Sequence, residues 1–278
     1  MIAIRCARAL NVSAASGLVL REGAFHVVAD DENCLYVFGA EGNDRRIALL
    51  PGRLPEDRRE RKASKADLEI LVDLGPLGLL AMGSGSRPTR ECAVWVDHRQ
   101  AITLIDTSAL CGRLRESFPD LNLEGAALLG DELVLVQRGN RSDGRSALVF
   151  LAMDDLQAAL AAQRFVVTHD PRIVDLDLGR EGDLPWTCTD LAVLDGGDLL
   201  ASVVLEDTDD AYEDGVVLGS ALVRLTAGGT LRWHHRLDTA AKVEGIAVDG
   251  TGAWLVTDAD DRAVPSQLLR AELDHLIV

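Results

Sequence analysis

The sequence predicts an all-β fold, a β-propeller of five four-stranded blades, and three observations carry the prediction. A hairpin unit recurs five times, its runs are short and separated by Gly-bearing turns, and the recurrence closes on itself. The leading residues of the units are Ser16, Glu69, Glu124, Asp190 and Glu244, separated by 53, 55, 66 and 54 positions. Passing from Glu244 through the last residue and back to Ser16 takes 50 more. A ring of such units covers both faces of each sheet with its neighbours and leaves only short edges. A β-sandwich is the rival, but the near-constant period favours the ring. The 66-residue interval holds surplus sequence around "IVDLDLG", so a sixth blade stays open.

Each unit justifies its strands in order. A first apolar run, such as "GIAV" after Glu244, meets a turn ("REG", "LGD", "LDGGD", "DGTG"), and a second run ("FHVV", "LVLV", "LLASV", "AWLV") completes the hairpin. Third strands follow in "CLYVF", "CAVWV", "ALVFL", "ALVRL" and "SQLLRAEL", and fourth strands in "RIALL", "AITLI", "RFVV" and "LRWHH". The fifth unit lacks a fourth strand. "IAIRCARA" at the start of the chain has no other sheet to join, so it is expected to complete that blade and lock the ring. "MDDLQAALAAQ" begins with acids and spaces Leu156 and Leu160 four apart, which predicts a short helix; "TSALCGRLRES" suits another. The charged stretches "RLPEDRRERK" and "EDTDDAYEDG" read as solvated connections, either of which could also cover a site.

Composition bounds the function. With 278 residues, 47% of them hydrophobic, the chain can bury a full core and is expected to form one domain over residues 1–278. A net charge of -17 excludes the phosphate-neutralising surface of a non-specific nucleic-acid binder and any attraction to anionic lipid. Neither nucleic acid nor membrane is expected as a partner; a small-molecule ligand or a basic protein segment fits better. No apolar stretch reaches the roughly 18 residues of a membrane span, and Arg5 and Arg8 interrupt what would have to be a leader, so a cytoplasmic location is expected. The five cysteines lack any C-x-x-C pair, which argues against zinc and against a disulfide framework. Lysine occurs only at Lys62, Lys65 and Lys242, every other base being Arg, a bias the sequence alone assigns to codon usage.

The site follows from the ring. Inner strands of a propeller line its channel, so the leading residues should converge at one mouth, with Ile246 and Val248 beside Glu244 on the channel side and Gly245 and Ala247 against a neighbouring sheet. Returning strands should bring Asp30, Arg87, Arg138, Asn140, Glu206 and Asp258 to the same mouth. Carboxylates so placed repel: two unit charges about 5 Å apart at an effective dielectric of about 20 cost about 3 kcal/mol. A bound cation, raised pKa values or neighbouring bases such as Lys65, Lys242, Arg87 and Arg138 can each offset this. Calcium suits a carboxylate set because it takes six to eight oxygen ligands; on this reading Glu69, Glu124, Asp190 and Glu244 would be its ligands. Of the histidines, only His26 alternates with channel-side positions and is kept as a candidate base.

"KADLE" followed by "LLAMGSGS", together with "LEGAAL", "KVEGIAV" and "VTDADD", resembles an uncharacterised family of bacterial β-propellers across essentially the whole chain. More loosely, the arrangement is similar to calcium-dependent lactonases of the gluconolactonase type and to the esterase-like propellers named after phytase. That resemblance implies a calcium ion at the channel mouth that binds the substrate oxygen. The expected function is a divalent-metal-dependent hydrolase of a small ester, lactone or phosphoester, in which Asp258, His26, Arg138 and Arg87 are the candidate catalytic and orienting groups. The alternative is a non-catalytic propeller that binds a ligand or a protein segment.

Overall fold

Apolar side chains fill both faces of the strands of this chain, as they must where each sheet is sandwiched between two others. A computed structural model describes residues 1–39, 42–139, 145–207, 215–250, 252–273 and 276. Strand β1 (Ile4–Ala9) comes first and belongs to the last blade. Blade one comprises β2 (Ala15–Arg21), β3 (Ala24–Ala29), β4 (Cys34–Phe38) and β5 (Arg45–Ala48). Helix α1 (Arg58–Ser64) leads into blade two, formed by β6 (Leu68–Asp73), β7 (Leu79–Gly83), β8 (Cys92–Val96) and β9 (Ile102–Asp106). Helix α2 (Ser108–Arg115) precedes blade three, which contains β10 (Leu123–Leu129), β11 (Glu132–Gln137), β12 (Ala147–Ala152) and, after helix α3 (Met153–Ala162), β13 (Arg172–Asp175). Blade four has a two-residue strand β14 (Arg180–Glu181) beside β15 (Leu184–Val193), β16 (Leu199–Asp207), β17 (Val216–Leu225) and β18 (Leu231–Arg236). Blade five contains β19 (Lys242–Asp249), β20 (Gly252–Asp258) and β21 (Gln267–Glu272), with β1 as its outer strand.

These sheets form a five-bladed propeller. Its ring is closed by β1, which pairs antiparallel with β21 from Ile4 opposite Ala271 to Ala9 opposite Gln267. Both expected helices form. The fourth strand of blade three, however, is Arg172–Asp175 and not "RFVV". Phe165 is instead buried between blades two and three, its amide donating to the Asp106 carbonyl at 2.8 Å, so this segment ties one blade to the next. The surplus around "IVDLDLG" is consumed by β13, and no sixth blade is built from it.

The core is distributed over five clusters, one at each blade junction. Period-2 alternation divides single strands between them: along β11, Leu133 and Leu135 enter the junction with blade two while Val134 and Val136 enter the junction with blade four. Along β7, Leu79 and Ala81 face blade one, and Leu80 and Met82 face blade three. The stretch "RLPEDRRERK" is structured. Asp57 caps α1 by accepting from the Glu60 amide at 2.9 Å, and Arg61 of that helix is buried. Asn140, His275 and residues 208–214 of the second charged stretch lie outside the described residues. No helix among the described residues is long and apolar enough to cross a membrane.

Candidate functional site

The mouth is built by a backbone irregularity that repeats in every blade. Register between the inner two strands shifts between Ala15 and Leu18, Leu68 and Ile70, Leu123 and Gly125, Cys188 and Asp190, and Val243 and Gly245. A bulge leaves its extra residue out of the ladder and re-aims its side chain. The bulged residues are Ser16 with Gly17, Glu69, Glu124, Thr189 and Glu244. Blade four therefore presents Thr189 at the ring position, and the expectation for Asp190 is off by one residue. Ser16 Oγ donates to the Leu68 carbonyl at 2.6 Å, and Thr189 Oγ1 donates to the Val243 carbonyl at 2.9 Å. Each hydroxyl thus ties its blade to the residue just before the next blade's ring glutamate.

Asp190 takes the place held elsewhere by Gly17, Gly125 and Gly245, where a Cβ would lie within about 2.6 Å of the following blade. Its side chain is 1% exposed and accepts hydrogen bonds from its neighbour Leu191 at 2.8 Å and from the Ile246 amide of blade five at 3.0 Å. Burial pushes its carboxyl well above the usual range, against the pull of those amides. It is a clamp between blades and does not line the cavity. The bulge also breaks the expected alternation in β19: Ile246 packs into the core between blades four and five, not into the channel. Gly245 does face the neighbouring sheet, against the Ser16 carbonyl.

Glu69, Glu124 and Glu244 line a cavity of about 390 Å³. A second tier, two residues earlier in each blade, adds Ala14, Asp67, Asn122, Thr187 and Lys242. The walls alternate in charge. On one side Arg138 pairs with Glu124 at 3.4 Å and with Glu206, and Lys242 pairs with Glu244 at 3.0 Å and Asp260 at 3.7 Å. On the other, the Lys65 ammonium bonds Asp30 and, at 2.8 Å, Asp67, whose second oxygen accepts from Arg90 at 2.7 Å. Arg61, from α1, donates to the Asp31 carbonyl at 2.7 Å.

Burial raises several of these acids. Asp258 is pushed up to about 9 by burial and then by Asp30 and Asp260, and Asp30 to about 6 by burial, opposed by Lys65. Glu124 rises to about 7 through burial, opposed by Arg138. Glu69 goes well above the carboxylate range because burial is reinforced by Asp67, Glu124 and Asp30. Among the described residues, the carboxylate of Glu69 has neither an ion pair nor a hydrogen bond. Asp30 and Asp258 are brought together through one backbone position: Ala14 bridges to Asp258, and its carbonyl accepts from the Asp30 amide at 3.1 Å.

Of the residues singled out from sequence, Glu69, Glu124, Glu244, Arg138 and Asp258 meet at this cavity, and Asp190, His26 and Arg87 do not. His26 sits three positions past the Gly23 turn, opposite Val19 and Val37, at the end of β3 remote from Asp30. Its Nδ1 is buried without a hydrogen-bond partner, and burial lowers its pKa. Arg87 is exposed ahead of a 3-10 turn, Pro88–Arg90, that delivers Arg90 to the wall instead. Arg61, Asp67 and Arg90 were not anticipated. Asp67 had a signal: it precedes Glu69 by two, as Lys242 precedes Glu244. Arg61 and Arg90 arrive on connecting segments outside the repeat.

Asp30, Asp67 and Glu69 each bring a carboxylate oxygen within 4.8 Å of the others, a group that could hold a metal ion. The calcium cage expected from sequence is not assembled. Asp190 is held at a blade junction, Glu124 and Glu244 are tied to Arg138 and Lys242, and Lys65 already bonds two of the three acids in the remaining group.

Solved structures with a similar fold include the glutaminyl cyclase of Myxococcus xanthus (14% identity, TM-score 0.56, covering 98% of this chain and 97% of that one). A putative glycosidase from Bacteroides thetaiotaomicron is similar at 11% identity and TM-score 0.51 over 95% and 88% of the two chains. A putative gluconolactonase aligns at 11% identity and TM-score 0.49 over 98% and 92%. Such identities report the fold alone. No curated protein matches the sequence significantly. The profile described as "Family of unknown function (DUF6929)" matches residues 11–273, and the chain belongs to that family.

Proposed function

We propose that the mouth binds a small polar molecule and hydrolyses an ester, lactone or phosphoester in it by general acid–base chemistry. The observation that carries this reading is the adjacent pair Asp30 and Asp258, whose pKa values are driven apart to about 6 and about 9. Near neutral pH one carboxyl is then ionised and the other protonated, the division of labour that acid–base catalysis requires. Asp30 would take a proton from the attacking water, and Asp258 would deliver one to the leaving oxygen. That gives Asp258, a candidate catalytic group from the sequence, the role of acid. Arg138, charged and facing the cavity, would orient an anionic group on the substrate.

The test is turnover of a panel of chromogenic esters, lactones and phosphoesters by metal-stripped protein across pH. A bell-shaped profile with limbs near 6 and 9, lost in both Asp30→Asn and Asp258→Asn, is the expected result. A second reading is favoured by the exposed acids Asp260 and Asp261 at the rim, which suit a non-catalytic site for a ligand or a basic protein segment. Absence of turnover over the whole panel, with a basic peptide retained by the wild-type mouth, would select it.

A further inference from the structure

We infer that Lys65 is the resident cation of the group formed by Asp30, Asp67 and Glu69, and that removing its charge turns this group into a divalent-cation site. The ammonium bonds Asp30 and Asp67, and Glu69 adds to the attraction. Lys65 is 8% exposed, and its backbone is fixed by the end of α1, where its amide donates to the Arg61 carbonyl at 2.8 Å. Those three acids raise its pKa despite burial, so the charge persists throughout the neutral range.

Residue choice supports the same conclusion. The chain has three lysines against 25 arginines, and all three lysines line this cavity. Arg61, Arg90 and Arg138 line the same cavity, but the position among the three acids is held by lysine, a compact charge where a planar guanidinium fits poorly among oxygens within 4.8 Å of one another. At Lys65 the choice of lysine therefore has a structural reason that codon usage does not supply. Taking the ammonium away leaves oxygens close enough for one hard cation, with the buried acids repelling one another until it binds. A ligand oxygen entering this side of the mouth meets an ammonium group and not a metal ion. The inference does not rest on the hydrolytic reading, because its test reads metal binding and not turnover.

The experiment is calorimetry with Ca²⁺, paired with thermal melts, on metal-stripped wild-type protein and on Lys65→Met, Lys65→Gln and Lys65→Arg. Wild type and Lys65→Arg should show no binding at millimolar Ca²⁺. At least one charge-free variant should bind with Kd on the order of 10⁻⁵–10⁻⁴ M, at least tenfold tighter than wild type, and its Tm should rise with the ion. The Lys65→Arg control separates loss of charge from general damage to the fold. Wild-type binding as tight as that of the variants overturns the inference. Failure of both charge-free variants to bind, whether folded or unfolded in the presence of Ca²⁺, also overturns it.

Discussion

On the Arg138 side of the mouth four acids share two cations, Glu124 and Glu206 on Arg138 and Glu244 and Asp260 on Lys242; on the Lys65 side, Asp30 and Asp67 bond Lys65, while Glu69 and Asp258 make no ion pair among the described residues. Both sides face the same cost of gathering carboxylates out of water. One meets it mainly with fixed ion pairs, though burial lifts Glu124 to about 7 as well, and the other in larger part with a retained proton, as burial drives Asp258 to about 9 and pushes Glu69 in the same direction. Fixed pairs give rigidity and a set charge pattern. Retained protons give a charge that can change with pH or with an arriving ligand. The chemistry is therefore expected on the Lys65 side and positioning on the Arg138 side.

The sharpest way to break the comparison is to remove the shared cation. Arg138→Met leaves Glu124 and Glu206 buried without their partner and should cost about 3–5 kcal/mol, measured by denaturant unfolding at neutral pH. A loss under about 1 kcal/mol would mean that the pairs with Arg138 contribute little and that the two sides are alike.

Asp258→Asn probes the other side. Its folded pKa of about 9 lies above the unfolded value of 3.8, so its stabilising contribution is complete below about pH 4 and declines until pH passes 9. Asp30 adds a decline of the same sign between 3.8 and about 6. Asparagine cannot ionise, so the variant should flatten the wild-type fall in Tm with pH. At pH 8 it should gain about 2–4 °C, the shift expected for about 1 kcal/mol in a chain of this size.

Glu69→Gln should change stability by less than about 1 kcal/mol, because an amide of the same shape replaces a carboxyl whose charged form burial disfavours and which makes no ion pair among the described residues, while turnover should fall. Melts and assays on the same preparation separate the two effects. Smallest of all, Arg87→Ala should change neither turnover nor ligand affinity, since the side chain lies outside the cavity.

Most of the fold was legible because a propeller repeats its instructions. The turns, the paired runs and the closing strand β1 all follow from period-2 patterning and glycine placement. Where prediction failed, position in the repeat was decided by something other than residue type. Asp190 looks like a ring acid, but the bulge in blade four falls on Thr189, and a one-residue bulge is visible only in the backbone register. "RFVV" has the composition of a fourth strand, yet it follows α3 at the wrong place and docks on blade two. Arg61 and Arg90 escaped notice because a helix of one connection and a 3-10 turn of another carry them. The cations of the site are thus less readable than its acids: Glu69, Glu124 and Glu244 belong to the repeating unit, and several of their counter-charges do not.

The pairing of β1 with β21 has a consequence for how the molecule is made. Strand β1 precedes all five blades and pairs with β21 of the last, so the ring cannot shut until β21 has been synthesised. Until then β1 is a loose ribbon, and the outer edge of β21 is an open docking strip that a second nascent chain could capture. Contacts of such long sequence separation also form slowly. The interval before closure is the one in which the edge of β21 is most open to mispairing.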